Sequence, residues 1–145
     1  MKKLYFLALV FALHSCADST PPTTEYTVDQ YLGQWVVINY WAQWCKPCIE
    51  EIPELNEFDK RYSKVVVLGV NFDGVTGEDL ARQLEKLDVE FPTLGKDPFV
   101  TLDIPRPAVL PTTLVINPQG ELSKTLVGPQ TLASLAHATE QASTH

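Results

Sequence analysis

Cysteine is scarce. The 145 residues contain three, too few and too unevenly placed for the disulfide scaffold of a small secreted domain. Two stand three residues apart and the third is alone near the start. Glycine is scarce as well. Seven glycines and eleven prolines without a repeating period exclude a collagen-like or low-complexity chain. Basic residues number 11 against 18 acidic ones, a net charge of −7. That sign argues against nonspecific nucleic-acid binding, which needs a positive surface. No apolar run reaches the roughly 20 residues of a comfortable membrane span. What is present, 45% hydrophobic and 20% charged residues, suits one soluble domain around a single core and is too apolar for a disordered chain.

The longest apolar run, Leu4 to Leu13, follows Lys2 and Lys3. A short basic start before an apolar stretch reads as a secretory signal peptide over residues 1–15. The alternative is a buried N-terminal strand or helix, but nothing polar breaks the run into a face. Leu13-His14-Ser15-Cys16 follows directly. It resembles the bacterial lipoprotein box, which implies cleavage before Cys16 and lipid on its sulfur and amine. His14 departs from the small residue usual there. The other reading is an ordinary signal peptide cut nearby, with Cys16 left as a free thiol; lipidation would remove that thiol from an oxidising compartment. Residues 16–30, with Pro21-Pro22 and several Ser and Thr, read as the lipidated N-terminus and a flexible tether. Residues 31–145 are left for the folded domain. Removing Lys2 and Lys3 with the signal leaves 9 basic residues against 18 acidic ones, a charge of −9.

Within that domain, Val36-Val37-Ile38-Asn39-Tyr40-Trp41 reads as a buried strand. Ile49, Ile52, Leu55, Phe58 and Tyr62 recur at helical steps, with Pro53 expected to bend the helix and Lys60 and Arg61 suiting its C-terminal dipole. Val65 to Val70 is a second buried strand, and Gly77 to Asp88 a second helix with Leu80, Leu84 and Leu87 on one face. Phe91 to Leu94 reads as a short strand or an extended link. Thr113 to Asn117 and Glu121 to Val127 form a hairpin around Pro118-Gln119-Gly120. A last helix runs from about Thr131 to Ala142. Strands alternating with helices predict an α/β fold with a central, mainly parallel sheet, antiparallel strands at one edge and helices on both faces.

The chemistry centres on Trp44-Cys45-Lys46-Pro47-Cys48, between the first strand and the first helix. The first turn of a helix has unpaired N–H groups and a partial positive charge, which favours a thiolate. Cys45 is expected at the helix start and exposed, with Cys48 on the same helical side within its reach. Pro47 is tolerated in a first turn. A Cys45 thiolate can attack a partner disulfide, and Cys48 can then resolve the mixed disulfide; the reverse sequence oxidises a dithiol. Half of a zinc site is the competing reading. Zinc needs about four ligands, and Cys16, His14, His137 and His145 are not spaced to supply them, so no metal is expected.

The residues Val36 to Cys48, followed by Glu51-Ile52-Pro53, resemble the active-site segment of thioredoxin-fold proteins, and more narrowly of the exported TlpA/ResA-like thiol-disulfide oxidoreductases. Leu110-Pro111-Thr112-Thr113-Leu114-Val115-Ile116-Asn117-Pro118-Gln119-Gly120 is similar to that family's cis-proline loop and the strand after it. The resemblance covers roughly Tyr31 to Thr139 and implies a thioredoxin-like three-layer fold. It makes Cys45 the nucleophile, Cys48 the resolving cysteine and Pro111 the cis-proline, with Leu110 before it. Asn39 stands where classical thioredoxins have a buried aspartate. Glu51 matches a glutamate thought to tune thiol protonation; its other reading is a helix-surface charge beside Glu50 and Glu54. Trp44 is expected on the substrate surface, while Trp41 and Tyr40 read as packing residues. Asp103 to Leu110 carries Pro105 and Pro107, a departure from the family. It reads either as a rigid surface loop or as a segment that reshapes the partner groove and narrows specificity.

Lys46 beside Cys45 favours its thiolate and so an oxidant, while Glu50, Glu51 and Glu54 oppose it by charge repulsion. The family resemblance tips the expectation to a monomeric, lipid-anchored reductase on the periplasmic side of a bacterial envelope. It would be fed electrons by a membrane protein, act on exported protein disulfides and need no cofactor beyond its cysteine pair. Two alternatives stay open. A thiol peroxidase on the same fold lacks a Thr-x-x-Cys arrangement, and a copper-delivery module lacks a placed histidine.

Overall fold

A computed structural model describes residues 27–142. The expected signal peptide, Cys16 and most of the expected tether lie outside the described residues. A 3-10 turn, Val28–Tyr31, straddles the point where the domain was expected to begin.

The buried strand of the sequence reading becomes β1 (Trp35–Trp41), the centre of a five-stranded sheet. It pairs in parallel with β2 (Val65–Asn71) and antiparallel with β4 (Thr112–Ile116). Strands covered on both faces have no solvent side, so their sequences read as continuous apolar runs. The two-residue β3 (Thr93–Leu94) extends the parallel side, and β5 (Leu122–Val127) closes the other edge as the expected hairpin. The order is β3-β2-β1-β4-β5.

Helix α1 (Lys46–Arg61) buries Ile52, Leu55 and Phe58 and runs through Pro53, which lies on its exposed side. Helix α2 spans Gly77–Leu87 and ends at Asp88, whose φ of 55° turns the chain out of the helix. Helix α3, Leu132–Ala138, is shorter than expected. Its start is fixed by a capping box in which Thr131 and Ser134 satisfy each other's backbone N–H groups. At the other end, Gln141 and Ala142 N–H groups turn back to the Ala136 carbonyl, so the chain leaves the helical path.

One feature of the layering differs from expectation. Helices were expected on both faces. The face carrying Val37, Val65 and Val67 packs against α1 through Leu55 and Phe58 and against α3 through Leu135. Helix α2 lies on that face too: Leu80 packs with Trp41, and Asn71 Nδ2 donates to Gln83 Oε1 (2.9 Å). Right-handedness explains this. The chain steps from β1 to β2 to β3 in one direction, and two right-handed crossovers in the same direction place both helices on the same face. The opposite face, with Val36, Ile38, Tyr40 and Leu68, is covered among the described residues by Tyr31, Leu102, Ile104 and Leu110. The last three belong to the irregular connection between β3 and β4.

Candidate active site

The cysteine pair sits where β1 hands over to α1. After Trp41 the chain turns, and the Cys45 N–H donates to the Ala42 carbonyl (3.1 Å). Cys45 is the N-cap of α1, in extended backbone conformation, and its sulfur accepts the Cys48 N–H at 3.3 Å. A sulfur therefore takes the capping place that a hydroxyl or carboxylate oxygen usually fills. Pro47 lies in the first turn, where its missing N–H leaves no bond unmade. Cys45 and Cys48 are joined as a disulfide, with Cα atoms 5.3 Å apart.

Cys45 was expected to be exposed. It is buried, at 5% exposure, and packs in a cluster with Trp41, Ala42, Cys48 and Leu80, bordered by Leu110. The neighbouring Trp44 takes the exposed position instead, at 67%. Its indole Nε1–H donates to the Asp73 carboxylate (2.9 Å to Oδ2) in the turn after β2. Asp73 escaped the sequence reading because it looks like an ordinary turn residue before Gly74; only the fold brings it to the tryptophan. Lys46 points into solvent and lies 3.7 Å from Glu50.

Glu51 is not a helix-surface charge. It is 1% exposed, unlike Glu50 and Glu54 on either side of it. Its Oε1 accepts Asn39 Nδ2 (2.7 Å) and its Oε2 accepts the Gln130 N–H (2.7 Å). Asn39 also donates to Thr113 Oγ1 (3.0 Å). These side chains come from α1, β1 and β4. Burial pushes the Glu51 carboxyl up to about 7, against the two hydrogen bonds that favour its charged form. The expected run of three repelling carboxylates therefore resolves into separate roles. Glu50 pairs with Lys46, Glu51 is buried, and Glu54 accepts the Leu132 N–H at the start of α3 (2.7 Å).

The Leu110–Pro111 peptide is cis. Leu110 borders the cysteine cluster, and the Pro111 carbonyl accepts the Gly128 N–H (2.9 Å), which ties the loop to the end of β5. Of the residues expected at the site, Cys45, Cys48, Leu110 and Pro111 thus gather at one end of the sheet, with Trp44, Lys46, Pro47 and Glu51 carried by the segment that presents the cysteines. Tyr40 and Trp41 are fully buried, as packing residues should be. Tyr40 also donates its hydroxyl to Asp97 Oδ1 (2.6 Å). Cys16 lies outside the described residues. Among the described residues, no three His, Cys, Asp or Glu side chains gather as metal ligands, and no helix is long and apolar enough to cross a membrane.

The chain is 32% identical over 109 residues to the thiol-disulfide oxidoreductase ResA of Geobacillus kaustophilus, covering 74% of this chain and 62% of that protein. It therefore spans less than two thirds of that relative's length. Its structure is similar to StoA of Bacillus subtilis (TM-score 0.59, 24% identity, 74% of this chain and 83% of the other). It is also similar to a DsbF homologue of Corynebacterium diphtheriae (TM-score 0.68, 21% identity, 91% and 99%). Likeness at those identities establishes the fold, a thioredoxin-like α/β sheet. The sequence pattern of the AhpC/TSA family matches residues 11–125, through β4 and into β5. The chain belongs to the AhpC/TSA family.

Proposed function

We propose that this protein is a thiol-disulfide oxidoreductase that reduces disulfides of exported proteins through Cys45 and Cys48. The observation that carries this reading is a cysteine pair bridged at the N-terminus of α1 and packed beside the Leu110–Pro111 loop. In the reduced enzyme, a Cys45 thiolate at the helix N-terminus accepts backbone N–H groups and is favoured by the dipole. It attacks one sulfur of a partner disulfide and forms a mixed disulfide, and the other partner sulfur leaves as a thiolate. The Cys48 thiolate then attacks Cys45, the second partner thiolate leaves, and the Cys45–Cys48 disulfide remains. The partner gains two electrons and the enzyme loses two. Glu51, one turn after Cys48 and titrating near neutrality, suits the exchange of a proton with the resolving thiol.

The same pair is the redox centre, so the reaction needs no bound organic cofactor. A membrane dithiol protein would return the electrons. Cleavage before Cys16 and its lipidation would hold the domain, as a monomer, to the periplasmic side of a bacterial envelope membrane.

Equilibrating the full chain with glutathione buffers tests the reading. The Cys45–Cys48 disulfide should form and break reversibly, with a potential near the roughly −270 mV of thioredoxin for a reductase. A value near about −120 mV would reassign the protein as an oxidant. Failure to form a reversible disulfide would overturn the redox role. Replacing Cys48→Ser should leave Cys45 able to trap exported proteins as mixed disulfides, and Cys45→Ser should trap none.

A further inference from the structure

The sheet face opposite the helices is incompletely covered. Between the proline-rich connection and the edge strand β5 lies an open groove of about 290 Å³. Pro105, Pro107 and Val109 form one wall, Leu114 lies on the floor, and Leu122 and Val127 form the other side. Val109 and Val127 are 57% and 64% exposed. Arg106 is the one charged side chain lining the groove among the described residues. Its guanidinium is engaged elsewhere: Nε donates to Asp97 Oδ2, another nitrogen donates to the Phe72 carbonyl, and the group lies 4.0 Å from the centre of the Phe72 ring. A groove without free charge, on a chain with a net charge of −7, matches an apolar occupant.

Its position says which occupant. Val109 and Thr112 line the groove and flank the cis Leu110–Pro111 peptide, whose Leu110 borders the cysteine cluster. The wall is held in place, since Thr112 Oγ1 donates to the Val109 carbonyl (2.7 Å) and two prolines stiffen the chain before it. Across the groove, Val127 pairs with Thr112 in the sheet, and the next residue, Gly128, donates to Pro111. An extended partner segment that brings its disulfide to Cys45 along the Leu110–Pro111 loop has this groove directly beside it. An enclosed apolar cavity of roughly 150 Å³ is enough for benzene, so the groove has room for one large side chain.

We propose that the groove is a specificity subsite for a large, uncharged apolar side chain, of the leucine, phenylalanine or tryptophan kind, close in sequence to the cysteine of the partner disulfide. This rests on the oxidoreductase reading above. Binding of that side chain draws on buried apolar area and on a wall that needs no rearrangement.

The test uses the reduced full chain and two disulfide-bonded peptides, identical except for tryptophan or serine beside the cysteine, with oxidised glutathione as a third substrate. The rate constant for single-turnover reduction should favour the tryptophan peptide by roughly 10-fold, the scale on which an apolar pocket discriminates. Val109→Ser, which removes apolar wall without adding charge, should bring that preference close to one and leave the serine peptide and oxidised glutathione unchanged. Val127→Ser, on the other wall, should do the same. Equal rates for the two peptides with the unaltered chain, or variants that slow all three substrates alike, would overturn the subsite while the oxidoreductase reading stands. No exchange with any of the three would overturn both.

Discussion

Glu51 is a carboxylic acid that burial holds between its two protonation states at physiological pH. Asn39 and the Gln130 N–H both favour the carboxylate, but loss of solvent outweighs them and moves the pKa from 4.5 to about 7. A raised acid pKa means that the folded state binds the proton more tightly than the unfolded chain. The group's stability contribution is therefore fully present below about pH 4.5 and is lost as pH rises through about 7. With the disulfide intact, this group should lower the unfolding free energy between those limits by on the order of 3 kcal/mol. Glu51→Gln should flatten that part of the profile. Denaturant unfolding of the oxidised protein at pH 5 and pH 8 measures both, and an unaltered slope in the variant would reject the assignment. The helical stripe held a clue to this burial. Glu51 lies three residues after Cys48 and four and seven before Leu55 and Phe58, all buried, whereas Glu50 and Glu54 fall off that stripe. Its partner from residue 130 had no local signal, because only the packing of α3 against α1 brings that backbone near.

At the level of elements, buried strands were the most legible part of the chain, since a β-branched run with both faces covered has one reading. For β3 the sequence allowed a short strand or an extended link over Phe91 to Leu94, because two residues carry no periodicity, and the short strand is what forms. Its place is set by Gly69 of β2, which pairs with Thr93. A Cβ on Gly69 would stand 2.7 Å from Thr93 Oγ1, 2.9 Å from Trp41 Nε1 and 3.1 Å from a Phe91 ring carbon. None of these is the free end of a flexible surface chain, as Trp41 and Phe91 are buried in the core. Gly69→Ala should therefore cost about 1–3 kcal/mol through overpacking. The loss should show as a lower midpoint in denaturant, together with a changed fluorescence of Trp41. A variant as stable as the parent would mean that β3 is free to move outward. The end of α3 was misjudged for the opposite reason: the apolar pattern of Leu132, Leu135 and Ala136 gives no stop signal, and the turn at Glu140 has a φ of 58° without a glycine to announce it.

Across the whole molecule, the layer opposite the helices depends on an irregular strap, and Arg106 is its fastening. Strap residues Leu102, Ile104 and Leu110 cover core residues of β1, β2 and β4; turn bonds from the Leu102, Asp103 and Ile104 N–H groups to the Pro98, Val100 and Phe99 carbonyls close its first half, but they do not continue as a helical ladder. Arg106 adds a long-range constraint by linking Asp97 at one end of the strap to the Phe72 carbonyl and ring beside the end of β2. Asp97 in turn accepts the hydroxyl of Tyr40 in the central strand. A partly exposed ion pair contributes about 0.2–1 kcal/mol and a cation–π contact about 0.5–1 kcal/mol. Arg106→Ala should therefore destabilise the protein by about 1–2 kcal/mol, and Arg106→Lys should recover only part of this, because an ammonium cannot reproduce the planar fork and stack. The location of the effect matters more than its size. Amide hydrogens of residues 98–110 should exchange faster in the alanine variant by local opening, while those of β1 and α1 change only with global stability. Uniform acceleration throughout the domain would mean that the strap opens only with the core. Selective acceleration would establish it as a separately stabilised layer, with Arg106 as its main polar tie to the rest of the fold.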